Sequence, residues 1–160
     1  MDALTVRRWV EEPVEDVWRR VTDLDGLVTL EPSLELVDLE GCPEGRFDHG
    51  TVAVLSKRHG PRIVTLELSV VAMSAPDRLV LTLVRGSDRW VIATELVRLA
   101  PGVTDVAIHA RRDPAGLGSR LPVGGTRMRV QRRSGDLAEV LDALGRAADG
   151  TASRSTPSTI

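Results

Sequence analysis

The sequence contains few or none of several residue types that build common functional sites. Its 160 residues include one cysteine, Cys42, one phenylalanine, three tryptophans and no tyrosine. A single cysteine excludes an internal disulfide and a zinc site built from cysteines. Cys42 lies in the turn-like segment EGCPEG, and no sequence neighbour there would lower the pKa of its thiol. We therefore expect a structural thiol and not a nucleophile.

The chain also lacks long apolar runs and an excess of charge of one sign. No stretch approaches the length of a membrane span, and residues 1–12 lack the continuous apolar core of a signal peptide. The 21 Lys and Arg residues nearly balance the 23 Asp and Glu residues, so the charge gives no reason to expect nucleic acid or an anionic membrane as partner. We expect a cytoplasmic, single-domain protein that does not insert into a membrane.

Residues 13–22 have the pattern of a short amphipathic helix that follows a first strand at residues 3–11. Pro13 needs no backbone donor at a helix start, and the carboxylates of Glu15 and Asp16 suit the positive end of the helix dipole. The apolar residues recur at helical spacing: Val14, Val17, Trp18 and Val21. The next segment, LDGLVTLEP, predicts a second short helix.

The middle of the chain predicts strands joined by tight turns. Six segments are rich in aliphatic and β-branched residues: 34–41, 46–58, 62–73, 77–86, 89–99 and 103–112. The turn sequences HGP, SAPD, GSD and APG separate the last five of them. Short turns between successive strands favour an antiparallel meander.

After residue 113 the hydrophobic period changes from that of a strand to that of a helix. The apolar residues mark one face of a long helix: Val130, Leu137, Val140, Leu141, Leu144 and Ala148. Such a helix can cover the concave face of a curved sheet. We predict an α+β fold in which about seven antiparallel strands wrap around this helix. The predicted domain is 1–148, and the tail at 149–160, which has no periodicity, is predicted to be disordered.

Short motifs recur in a definite order along the chain. They are Pro13-x-x-x-Val17-Trp18 with Thr22-Asp23, Phe47-x-x-Gly50-Thr51, Thr94-x-Leu96 with Pro101-Gly102-Val103-Thr104, and the long final helix. Together with the order of elements, they resemble the START-like, Bet v 1-like helix-grip superfamily (SRPBCC) and its polyketide cyclase/dehydrase proteins. The resemblance implies a mostly apolar cavity between the sheet and the last helix. It also implies that Trp18 packs on the sheet as part of the structure.

The resemblance does not select one function, because proteins of this fold bind lipids, hormones or quinones, cyclise polyketides or assist other proteins. Its cyclases use tyrosine hydroxyls and other polar groups within the cavity, and this chain has no tyrosine. We expect it to bind a small apolar molecule that is polyketide-, lipid- or quinone-like, and whether it catalyses a reaction stays open. The alternative is a protein-interaction module of the Hsp90-activator kind. No cofactor is expected, and the three histidines lack the spacing of a metal site.

Strand parity selects the candidate ligand-binding residues. The aliphatic residues of two predicted strands alternate with polar ones, and we expect them to line the cavity: Val64, Leu66, Leu68, Val70, Val106 and Ile108. Arg8 shares parity with Val6 and Val10, so its guanidinium is expected to face the same cavity. There it would either bind the polar end of a ligand or pair with a strand carboxylate such as Glu95. The alternative is that the parity slips and Arg8 is exposed at the surface.

His49 is the one histidine whose parity allows it to reach the cavity, since it shares a face with Phe47, Thr51 and Ala53 in the third predicted strand. The alternative for His49 is a position at the surface. A separate pattern concerns the fifth and sixth predicted strands, which are apolar on both faces, as the runs LVLTLV and WVIATELV show. Strands of this kind need cover on the outer side, and a second subunit in a homodimer would supply it.

Overall fold

The computed structural model describes residues 3–30, 33–113 and 141–150. The strands in these ranges are β1 (Ala3–Val10), β2 (Leu34–Glu40), β3 (Val52–His59), β4 (Arg62–Ser74), β5 (Arg78–Arg85), β6 (Asp88–Ala100) and β7 (Val103–Arg112). The helices are α1 (Val14–Val21), α2 (Leu24–Leu30) and the stretch 141–149, which we call α3. A short 3₁₀ turn, Pro43–Gly45, lies between β2 and β3.

The strands form one antiparallel sheet in the order β1-β7-β6-β5-β4-β3-β2. Strands β2 to β7 are therefore neighbours in both sequence and space, and β1 joins the far edge beside β7. The predicted α+β architecture with a seven-stranded antiparallel sheet and two short helices after β1 is confirmed. The register shifts within β2, β4 and β6, and such bulges bend strands and increase their twist.

One face of the sheet carries the hydrophobic core, and we call it the inner face. Residues that pair directly across strands share a face, so the register row Val70, Leu81, Ile92 and Ala110 runs across four strands of the inner face. Helix α1 buries Val14, Val17 and Val21 in the same core, and Trp18 is half-buried against it. The predicted structural packing of Trp18 agrees with this position.

Helix α3 adds mostly small side chains to the core. Its buried residues are Leu141, Ala143, Leu144, Ala147 and Ala148. Gly145 faces β1 closely, since a Cβ atom on it would lie 3.4 Å from Val6 Cγ1. The earlier part of the predicted long helix lies outside the described residues, as does the predicted tail beyond Gly150.

The outer side of β5 is already covered within the single chain. Val80 and Thr82 point away from the inner face, and both are buried. A second subunit is therefore not needed to cover β5, which was part of the reason for predicting a homodimer. None of the described helices is long and apolar enough to cross a membrane.

Candidate ligand-binding site

The inner face holds all six aliphatic residues that the sequence assigned to a cavity. Leu66, Leu68, Val106 and Ile108 are each 0% exposed, whereas Val64 and Val70 are half-buried. The prediction that they share one face is consistent with the register of the sheet. Their contact with a ligand stays a prediction.

The packing at the centre of this face is closed. A side chain with no exposed surface touches no void large enough for a water molecule, and this holds for four of the six residues. Space for a ligand at these positions therefore requires the sheet and the elements that cover it to move apart.

Thr94 is a polar residue in the middle of this apolar face. Its register partners are Ile108 on β7 and Leu79 on β5, and all three side chains are completely buried. The Thr94 hydroxyl has no hydrogen-bond partner within the described part of the chain. In the sequence Thr94 stands out only as part of the Thr94-x-Leu96 motif. The strand parity that it shares with Ile92 and Leu96 could have indicated that its side chain lies on the inner face.

Charged side chains also lie on the inner face, towards the ends of its strands. Lys57, the single lysine, is only 2% exposed near the end of β3, where it pairs in register with Val64. Asp88, the first residue of β6, is buried and its Oδ1 accepts a 2.8 Å hydrogen bond from Arg112 Nη2. The Asp88–Arg112 pair lies beside Trp90 and neutralises the charge there. Sequence reasoning assigned none of these groups to the site.

Arg8 lies on the inner side of β1, as its parity predicted, but it lies at the rim. Its side chain is 37% exposed, and Nε lies 3.5 Å from Asp149 Oδ2 on α3. The suggested pairing with Glu95 is wrong, because Glu95 lies on the outer face and pairs with Arg78. Arg8 thus connects the edge strand to the end of α3.

His49 does not lie on a strand, which corrects the sequence-based placement. The third strand begins at Val52, and His49 is exposed in the turn before it. Two hydrogen bonds between Asp48 and Thr51 close this turn, and Gly50 adopts a φ of 81° that favours glycine. Because the strand pattern does not extend to His49, its parity has no meaning there and the side chain points away from the core.

Cys42 has the environment of a structural thiol. Its Sγ donates to the carbonyl oxygen of Arg46 at 2.8 Å. Burial raises the pKa of the thiol above its ordinary value, and the nearby carboxylates of Asp25 and Asp48 raise it further. A thiol held in its protonated form is a poor nucleophile. No three His, Cys, Asp or Glu side chains among the described residues are grouped so that they could hold a metal ion.

A cleft of about 320 Å³ opens between the α1–α2 corner and the end of α3. Its lining includes Arg20, Thr29, Leu30 and Arg146. Both arginines have carboxylate partners, Glu12 for Arg20 and Asp142 for Arg146, so the charges of the lining are already balanced. The cleft therefore offers space at the end of the core, and its arginines bind an anion only by giving up these contacts.

Comparison with known proteins identifies the fold. No family model and no curated protein matches the sequence. Among solved structures, a START superfamily protein from Mycobacterium smegmatis matches with a TM-score of 0.65 and 16% identity over 98% of this chain and 100% of that one. The Zhui aromatase/cyclase from Streptomyces sp. R1128 gives 0.63 and 14% over 98% and 96%. Ara h 8.0201 gives 0.61 and 13% over 93% and 95%.

At these identities the shared property is the fold. The chain has the helix-grip fold of START and Bet v 1-like proteins, and the predicted resemblance is confirmed at that level.

Proposed function

We propose that this protein binds a small, mostly apolar molecule between the inner face of the sheet and α3. The observation that carries the proposal is the buried hydroxyl of Thr94, which has no hydrogen-bond partner among the described residues and lies between aliphatic neighbours. Ligand pockets commonly combine an apolar lining with a few polar groups. The fold likeness to a START superfamily protein and an aromatase/cyclase supports a polyketide-, lipid- or quinone-like ligand.

Binding at this place has a structural consequence. Leu66, Leu68, Val106 and Ile108 have no exposed surface, so a ligand reaches them only if the side chains that cover them move. A ligand must separate α3 and its neighbours from the sheet, so binding is expected to change the protection of α3 amides against hydrogen exchange.

Two measurements on the purified full chain test the proposal. Native mass spectrometry looks for a small molecule that copurifies, and a titration with 9-fluorenone looks for saturable quenching of tryptophan emission. Trp90 lies on the inner face, whereas Trp9 is 76% exposed on the outer face. The titration is therefore done in the Trp9→Phe variant, and 1:1 quenching is the expected result.

A matched pair of alanine substitutions locates the site. Ala110→Leu adds volume on the buried inner face, and Ala93→Leu adds the same volume to the outer side of β6. Ala110→Leu is expected to destabilise the closed protein by about 1–3 kcal/mol through overpacking and to weaken fluorenone binding at least tenfold. Ala93→Leu should leave binding unchanged. Equal affinities of the two variants for fluorenone would mean that the ligand does not bind on the inner face of the sheet.

A second candidate function is favoured by the closed packing itself. Four of the six predicted cavity residues are completely buried, and a core that is filled at these positions favours a protein-interaction module of the Hsp90-activator kind. If no small molecule copurifies with the protein and fluorenone does not bind, the result would support this function over ligand binding.

A further inference from the structure

We infer that the Thr94 hydroxyl forms a hydrogen bond with the ligand, and that the ligand is a neutral molecule with a ketone, quinone or alcohol oxygen within an apolar body. This inference rests on the proposed function and adds the chemical class of the ligand. The residue lies at the seventh position of the 13-residue strand β6, which is its centre. The oxygen that it recognises must therefore reach the middle of the inner face.

The first argument is that Thr94 differs from other buried threonines of the chain. Three of them donate to a backbone carbonyl at 2.7–2.8 Å: Thr22 to Trp18, Thr51 to Gly41 and Thr104 to Glu12. The hydroxyl of Thr94 is equally inaccessible but has no such acceptor in the part of the chain that the structure describes. A buried hydroxyl without a partner destabilises a fold, because it loses its hydrogen bonds to water.

The second argument concerns the neighbours of Thr94. Ile92, Leu96, Leu79 and Ile108 surround it on its own strand and in register on β5 and β7. Valine has nearly the shape of threonine and would suit this environment without a penalty. A ligand oxygen that arrives when the protein opens supplies the missing partner, as either acceptor or donor, because a hydroxyl can do both.

The third argument concerns charge. A threonine hydroxyl is neutral and does not compensate a buried carboxylate or ammonium group. The charged groups that the described strands carry on the inner face lie towards strand ends or at the rim: Lys57, Arg85, Asp88, Arg112 and Arg8. The centre of the face therefore selects a neutral oxygen.

Stability without ligand gives the first test. Thr94→Val removes the hydroxyl that has no partner, so the urea midpoint is expected to rise. Thr104→Val is the matched control, and its midpoint is expected to fall because it breaks the hydrogen bond to the Glu12 carbonyl. A lower midpoint for Thr94→Val would overturn the inference, since it would mean that the hydroxyl already has a partner such as a bound water.

Binding gives the second test, with two probes of nearly equal shape. Fluorenone carries a central ketone oxygen and fluorene does not. Thr94→Val is expected to weaken fluorenone binding by about three- to tenfold, the contribution of one hydrogen bond, and to leave fluorene binding unchanged. Thr94→Ser keeps the hydroxyl and should retain part of the preference for fluorenone.

The outcomes separate the inference from the function on which it rests. If neither probe binds to the unsubstituted protein, both the proposed function and the inference fail. If both probes bind and Thr94→Val affects them equally, ligand binding stands and the role of Thr94 is wrong.

Discussion

Arg20 on α1 donates hydrogen bonds to two carbonyl groups in the last turn of α3, from Nε to Ala147 O at 2.9 Å and from Nη2 to Ala148 O at 2.7 Å. Its remaining terminal nitrogen pairs with Glu12. Gly150 follows with a φ of 71° and closes the helix through a 3.0 Å hydrogen bond to Arg146 O. A cation at this position satisfies orphan carbonyls and complements the negative end of the helix dipole.

The first prediction follows from this contact between α1 and α3. Arg20→Met keeps much of the apolar stem but removes both donors, so the free energy of unfolding should fall by about 1.5–3 kcal/mol, the range for hydrogen bonds to charged groups. Urea denaturation measures this change, and hydrogen exchange should show faster exchange in residues 141–150. Arg19→Met is the control, because Arg19 is exposed on the same helix and pairs only with Asp16 at 3.7 Å in the described residues. An equal loss in both variants would contradict the capping role.

Much of the fold could be predicted from the sequence because its turns and strand alternation are local. The turns between the last five strands of the sheet fall within the segments HGP, SAPD, GSD and APG, each of which overlaps a strand end by one residue. Parity placed Arg8 on the inner side and the six aliphatic residues together. These assignments depend only on the period of two in a strand.

The site was less predictable because it depends on contacts between distant residues. His49 was misplaced, since it lies in a hydrogen-bonded turn and the strand begins only after this turn, at Val52. The partner of Arg8 proved to be Asp149, which is 141 positions away in the chain. The unsatisfied state of the Thr94 hydroxyl can be recognised only when every neighbouring acceptor is known. The periodicity of the sequence therefore predicts on which face of the sheet a residue lies, but not which group its side chain bonds.

The second prediction concerns Arg8. Because its side chain is 37% exposed, its 3.5 Å pair with Asp149 is screened by solvent, and Arg8→Leu should cost at most about 1 kcal/mol of stability. The guanidinium already faces this carboxylate, so the variant should bind 9-fluorenone-2-carboxylate within threefold of the unsubstituted protein. Arg7→Leu is the control, since Arg7 pairs with Asp105 on the outer face. A tenfold weaker binding for Arg8→Leu alone would instead identify Arg8 as a ligand anchor.

The third prediction concerns the pH dependence of Cys42. Burial, Asp25 and Asp48 raise its pKa in the folded state above the ordinary value of 9.0. At pH 8 to 9, iodoacetamide should therefore alkylate the native protein more slowly than the protein unfolded in urea, because less thiolate is present.

The same shift has a consequence for stability. A raised folded-state pKa adds stability that is fully present below the unfolded-state pKa and is lost as the pH rises through the folded-state value. The free energy of unfolding of the unsubstituted protein should thus fall relative to that of Cys42→Ser as the pH increases above about 9. A free energy of unfolding that instead rises relative to that of Cys42→Ser would contradict the direction of the pKa shift.

The fourth prediction concerns self-association through the outer side of the sheet. Val80 and Thr82 on β5 are already buried within the chain, and exposed large apolar side chains lie next to each other on β1 and at the end of β6. Trp9 and Val97 both pair in register with Asp105, so they flank it on the outer face, and both are largely exposed. Tryptophan is enriched among the residues that contribute most to binding at protein interfaces. We expect sedimentation at micromolar concentration to show a dimer that Val97→Asp converts to monomer.

Val71→Asp is the control, because Val71 is similarly exposed but lies at the bulge of β4, and it should not affect the dimer. Monomer at every concentration in the unsubstituted protein would exclude this interface.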